Sequence, residues 1–189
     1  MQISALAFIE TSLSSLEQSL GGRSAELRNI QLATLSPGGG PGIRTLVLRA
    51  FERLPAFAEM HTDARAAKVR DIAHASQVSL LAWSPAAQLQ IRLEGFARLH
   101  RDDDVTRDRW DKLSPRARNT YGLRAEPGLP VQDPAEQVHL PPEQQFQQFA
   151  VIRVALSNVD ILHLDPDGGQ TRASGRFTPS GISASWIGP

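Results

Sequence analysis

Six apolar residues open the chain at helical spacing: Ile3, Leu6, Ile9, Leu13, Leu16 and Leu20. Steps of three and four place them on one face of a helix, and Gly21-Gly22 supplies a stop, so the pattern predicts an amphipathic helix over residues 1–22. The period then changes to two. Ile30 to Leu35, Arg44 to Phe51, Ala56 to His61, Val78 to Trp83 and Leu89 to Leu99 are runs of strand-forming residues bounded by polar or turn-forming ones, which predicts five strands. Ser36-Pro-Gly-Gly-Gly-Pro-Gly42 joins the first two as a turn. From Thr62 to Ala75 helical spacing returns, with Val69, Ile72 and Ala73 on one side. Lys68 thereby falls in the first turns of a helix, where free N–H groups and the dipole favour an anion.

Further along, Asp102-Asp-Asp104 opens a helix that runs through Trp110 and Leu113, and Ser114-Pro115 restarts one as cap and first residue ahead of Arg116 to Tyr121. Five prolines between Glu126 and Glu143 interrupt every period, which predicts an extended loop over residues 124–145. Strand character resumes at Phe146 to Leu156 and Val159 to Leu164. Asp165-Pro-Asp-Gly-Gly169 turns the chain, and Gln170 to Phe177 pairs back. The elements add up to a mostly β domain with flanking helices spanning residues 1–189. Too little chain follows the proline-rich loop to build a second core.

Composition narrows the chemistry. A chain of 189 residues buries about 70% of its unfolded surface in one core. Twenty basic residues against twenty acidic ones leave no net charge, so there is no global field to attract nucleic acid or an anionic membrane. With no cysteine there is no disulfide framework, thiolate nucleophile or cysteine metal site. The five histidines lack His-x-x-x-His spacing, so no metal site is expected. No run approaches the roughly 20 apolar residues of a membrane span, and the expectation is a soluble, cytoplasmic protein.

Three short stretches carry the candidate chemistry. Arg44-Thr-Leu-Val-Leu-Arg49 brackets a strand with guanidiniums, Thr62-Asp-Ala-Arg65-Ala-Ala-Lys68 groups a hydroxyl with two cations, and Gln90 begins an alternating strand that ends at Gly95. Arg presents a planar fork that suits phosphate, Lys a compact charge, and Gln a donor and acceptor for a ring edge. Each also has a plainer reading. Arg44 and Arg49 are compatible with strand-edge charges, Thr62 to Lys68 with a solvated helix start, and Gln90 with an exposed strand residue.

Taken in order, these stretches resemble the pyridoxamine 5'-phosphate oxidase family of FMN-binding split barrels, in its shorter, divergent branch, over roughly positions 30 to 177. The resemblance implies a split β-barrel of about six strands and a homodimer with FMN at the subunit interface. It matches Arg44, Thr62 and Lys68 to the phosphate contacts and Thr45, Leu46, Val47 and Leu48 to the segment lining the flavin. Gln90 matches a contact to the ring, and Arg65 joins the same pocket. His61 stands where the oxidase has Tyr and is counted among the cofactor contacts, Arg49 stands where it has Lys, and Ala67 where it has Arg. Near the C-terminus, Arg172-Ala-Ser174-Gly-Arg176 is the nearest counterpart of a substrate- and flavin-contacting segment, with Ser in place of His, and Leu162 takes the place of a Trp. Arg176 is thus assigned to the ring and Arg49 with Arg172 to an anionic substrate.

The resemblance therefore implies an FMN-dependent oxidoreductase acting on an unidentified small molecule; it carries over the cofactor and not the substrate. It assigns no general base, which hydride transfer tolerates. Two alternatives stay open: a flavin-binding module without turnover, and a scaffold for another ligand such as haem or a deazaflavin.

Overall fold

The computed structural model describes residues 3–21, 26–133, 135 and 137–189. Eight antiparallel strands form one sheet: β1 (Asn29–Leu35), β2 (Pro41–Arg53), β3 (Ala56–Asp63), β4 (Gln77–Ser84), β5 (Leu89–His100), β6 (Phe149–Leu164), β7 (Gln170–Thr178) and β8 (Gly181–Trp186). Their order is β3-β2-β1-β4-β5-β6-β7-β8, and a further pairing of β3 with β6 closes the first six into a barrel. The expected split barrel with flanking helices is what the chain forms.

One strand belongs to both parts of the sheet. Along β6, Phe149 to Ala155 pairs with β3 and Asn158 to Leu164 pairs with β7, while β5 runs beside both halves. Ser157 is the extra residue where the register shifts, and its hydroxyl donates to the Glu94 carbonyl at 3.0 Å. Opposite it, Gly95 is obligatory because a Cβ there would overlap the Ala155 carbonyl. The sequence predicts two strands here, and the structure merges them: a one-residue bulge satisfies the polar Ser157-Asn158 step without ending the ladder.

Inside the barrel, Leu32, Leu48, Met60, Leu80, Ile91 and Ile152 are fully buried. Helix α1 (Ala5–Gly21) turns Ile9, Leu13 and Leu16 into the same core, while Ile3 and Leu6 are exposed, so the buried stripe is shorter than the spacing predicts. Gly22 of the expected stop lies outside the described residues. Gly175 on β7 gives α1 its seat, since a Cβ would approach Ile9 Cδ1 to 3.2 Å and Ile182 Cγ2 to 2.8 Å. Strand β8 goes unpredicted because Gly181-Ile-Ser-Ala-Ser-Trp186 is short and four of its six residues are small or polar. None of the described helices is long and apolar enough to cross a membrane.

A second apolar cluster covers the outer face of β3 and β6. Trp110 of α3 (Asp104–Asp111) packs with Tyr121, Phe149 and Val151. Asp103 caps α3, its side chain accepting from the Thr106 amide at 2.9 Å. Beneath α3, the wholly buried Glu59 takes 2.6 Å and 3.1 Å bonds from Arg153 of the neighbouring strand and a 2.5 Å bond from Arg109 of the helix. Burial pushes the Glu59 carboxyl up, but the hydrogen bonds from the two guanidiniums outweigh it and hold the group far below its ordinary value.

A carboxyl depressed in the folded state contributes stability that is present above its unfolded value of 4.5 and is lost as pH falls. Glu59→Gln should therefore lower unfolding free energy at pH 7 by about 3 kcal/mol, since both arginines lose their counter-charge. The variant should also show a flatter loss of stability below pH 5 than the parent. Urea melts across pH check this, and parallel acid profiles for the two proteins would refute it.

Candidate functional site

The barrel's mouth gathers side chains from four elements. On β2, Arg44, Leu46 and Leu48 share the inward face, and Arg44 lies at its open end beside Thr34 of β1. Helix α2 (Ala67–His74) sits across this end and adds Lys68 and Asp71, which are three positions apart and so project from one side. Arg44 donates through Nη1 to Thr34 Oγ1 at 2.5 Å and to the Gly42 and Leu32 carbonyls at 3.2 and 3.3 Å. Its Nη2 meets Asp71 Oδ2 at 3.1 Å, and Thr34 donates to that same oxygen at 2.7 Å. Gly42 makes room for this fold-back, because a Cβ would come within 2.6 Å of Arg44 Nη2.

Thr62 closes the cluster. The sequence predicts it as a helix start, whereas β3 continues through Asp63 and Thr62 points inward as a buried strand residue. Lys68 Nζ donates to its hydroxyl at 3.2 Å. Among the described residues Lys68 forms no ion pair. Burial first, then the Arg44 charge, lowers the ammonium's pKa, with Asp63 and Asp71 offsetting part of the effect. The mouth thus holds a fixed guanidinium, a hydroxyl and a half-buried ammonium without its own carboxylate.

Other expected residues lie elsewhere. Arg65 binds Asp63 through 2.7 and 3.0 Å contacts and donates to the Leu123 and Arg124 carbonyls at 2.8 and 3.0 Å, so its guanidinium is engaged away from Lys68. Of the predicted flavin-lining segment, Leu48 is buried, Leu46 and Val47 are half-buried, and Thr45 is exposed. Arg49 is the bulged residue between Leu48 and Ala50, exposed and beside Tyr121, whose hydroxyl pKa burial pushes up against the Arg49 charge. His61 points outward from β3, opposite in sense to Thr62. Its ring meets Phe149 edge-on at 5.0 Å, both ring nitrogens are buried without a partner, and Nε2 stands 3.8 Å from Glu59.

Gln90 lies on the outer face of β5, between Trp83 and Leu162 on the neighbouring strands, and Arg172 follows Leu162 across the sheet. Arg172 is clamped on the buried Asp160 at 2.9 and 3.0 Å, and Arg92 reaches the same carboxylate at 2.8 Å. Arg176 is exposed and forms no ion pair among the described residues. It shares a rung with Glu94, four residues from Gln90, so within one chain the two lie about 13 Å apart along the strands. Between them the outer faces of β5 to β8 form a groove of about 600 Å³. No hydrogen bond or ion pair among the described residues links this face to the mouth cluster.

Sequence reasoning missed Asp71, Thr34 and Asp160. Asp71 was findable from its three-residue step after Lys68, whereas Thr34 and Asp160 depend on cross-strand register that a single sequence does not expose.

The comparisons with known proteins fit this geometry. Residues 9–101 match the family model described as pyridoxamine 5'-phosphate oxidase, FMN-binding domain. Over that stretch, 93 of the 189 residues, the chain is similar to the pyridoxamine 5'-phosphate oxidase-like family of split barrels. A pyridoxamine 5'-phosphate oxidase-related, FMN binding protein from Nostoc punctiforme shares 26% identity, with all of both chains covered and a TM-score of 0.76. PhzG from Burkholderia lata, solved with tetrahydrophenazine-1-carboxylic acid, has the same fold at 14% identity, covering 98% of this chain and 93% of its own, with a TM-score of 0.72. General Stress Protein 26 from Bacillus anthracis is a further fold relative, at 15% identity and a TM-score of 0.53 over 87% of this chain and 98% of its own. No curated protein matches the sequence.

The lowered pKa of Lys68 carries a sign that can be tested. A charged, partly desolvated ammonium costs stability below its folded-state pKa, and the cost is relieved as pH rises through that value toward 10.5. Lys68→Met should therefore stabilise the ligand-free protein at pH 7 by about 0.5–1 kcal/mol, with a smaller gain at pH 10. Denaturant midpoints at both pH values check this, and a destabilised variant would show that the ammonium holds the mouth together.

Proposed function

We propose that the protein is an FMN-binding flavoprotein, a flavin-dependent oxidoreductase of the pyridoxamine 5'-phosphate oxidase type that acts on a small molecule. It would work as a cytoplasmic homodimer with the cofactor at the subunit interface. The observation that carries the reading is the mouth cluster, where the half-buried Lys68 ammonium forms no ion pair among the described residues and stands with Arg44 and Thr62. A phosphate monoester supplies the missing anion, and charge-assisted bonds to a partly desolvated cation are the strong ones. The family model and the Nostoc relative support FMN as the bearer of that phosphate.

Bound FMN would supply the electron chemistry, leaving the protein to grip and orient. Lys68 and Thr62 would take the phosphate oxygens directly. Arg44 is held by Thr34 and Asp71, so its fork is already oriented when the phosphate arrives, which lowers the entropy lost on binding. Gln90 would address the ring edge. Arg49 is the guanidinium open to an anionic substrate, because Asp160 already claims Arg172.

The absorbance spectrum of the purified protein, with and without added FMN and then NADH or NADPH, tests the reading. A bound-flavin spectrum is expected, with bleaching if a nicotinamide is the donor. A protein that takes up no FMN overturns the proposal. Arg44→Ala and Lys68→Ala should each weaken FMN binding by about 1.5–3 kcal/mol, the usual worth of a charge-assisted hydrogen bond. Unchanged affinity in both variants would remove the mouth from the cofactor site.

A further inference from the structure

The mouth places a carboxylate where an anion is expected to bind. Asp71 is buried on α2, and its Oδ2 accepts from Arg44 Nη2 at 3.1 Å and from the Thr34 hydroxyl at 2.7 Å. Thr34 in turn accepts from Arg44 Nη1 at 2.5 Å. Asp71 and Thr34 thereby close the Nη1–Nη2 end of the guanidinium. Arg44 Nε makes no hydrogen bond among the described residues, so the Nε–Nη2 side is the edge left for a ligand. Asp71 Oδ1 likewise accepts no hydrogen bond among the described residues, although its side chain is only 8% exposed.

The net charge follows from the same contacts. The charges that act on Lys68 are those of Arg44, Asp63 and Asp71. Arg65 takes up Asp63 at 2.7 Å, and β1 contributes only the neutral Thr34. Arg44 and Lys68 against Asp71 then leave the mouth with a single positive charge. A phosphate monoester carries one negative charge below a second pKa of about 6 and two above it. The first charge balances the mouth. The second would enter a partly desolvated site that already holds a carboxylate, where an unbalanced charge is costly. A singly charged monoester also keeps a P–OH, which can donate to the open Asp71 Oδ1.

We propose that Asp71 determines the charge state of the phosphate that the mouth accepts, so that a monoester is bound singly charged and takes up a proton when it binds at higher pH. The assignment rests on the mouth being the phosphate site of FMN, and adds which form of that phosphate it holds. Asp71 acts by repelling the second charge and by accepting from the P–OH, while Arg44 and Lys68 supply the attraction.

Fluorescence titration of the full chain with FMN and with its methyl ester, a phosphodiester that stays singly charged, tests this. Between pH 6 and pH 8 the dissociation constant of FMN should rise about tenfold, while that of the methyl ester should stay within about twofold, which also shows that Lys68 keeps its charge over that range. Asp71→Asn retains an oxygen for Arg44 and Thr34 but removes the charge. In this variant FMN should bind about tenfold tighter at pH 8 than in the parent, and the two esters should lose their difference in pH dependence. A carboxylate that only supports Arg44 predicts the opposite, an equal weakening of both esters at both pH values. That result, or the same pH dependence for the two esters in the parent protein, overturns the assignment and leaves FMN binding intact. Binding of neither ester overturns the proposed function and this assignment with it.

Discussion

The architecture depends on one continuous antiparallel ladder between β5 and β6. It holds twelve residue pairs, from Leu89 with His163 to His100 with Val151. Because β5 never leaves β6, the other edge of β6 is free to change partners, closing the barrel with β3 at one end and starting the β7–β8 extension at the other. The change takes place where Ser157 bulges out and Gly95 lets the backbones approach. A bulge adds local twist, which lets one strand serve two differently directed sheets without exposing unpaired backbone. The mouth cluster and the outer groove lie on opposite sides of this division.

Charge placement follows a consistent rule in this chain. Arg44 answers Asp71, Arg65 answers Asp63, Arg172 and Arg92 answer Asp160, and Arg109 and Arg153 answer Glu59. Six of the twenty basic residues are thereby spent on fixing side-chain geometry. Such pairs add little stability when half-exposed, but they hold a guanidinium in one orientation. Among the described cations that form no ion pair, Lys68, Arg49 and Arg176 are the ones that the resemblance places in the site.

Much of the fold was legible because its signals are local. Ile9, Leu13 and Leu16 fix the inner face of α1, and alternation marks β1 to β5 at nearly their observed limits. The barrel itself came from the order of short motifs, not from periodicity. What stayed hidden is relational. Thr62 reads as a helix cap in sequence because it precedes a helical stretch, yet its inward side chain is set by the pairing of β3 with β6. The carboxylates that claim Arg65 and Arg172, Asp63 and Asp160, are not identifiable in sequence because they meet these cations only once the turn and the sheet have formed. His61, which follows the sequence one step before Thr62, ends on the opposite face because a strand reverses direction at each residue.

The grip of Arg65 on the Leu123 and Arg124 carbonyls ties the proline-rich loop to the turn that leads into α2. The turn cannot shift without breaking charge-assisted bonds or carrying the loop's base with it. Loop order and the placement of Lys68 therefore share one free energy. Whatever restrains the loop also narrows the range of positions open to the ammonium, and an anion that fixes the ammonium returns the same restraint to the loop, by the reciprocity that governs any two linked equilibria.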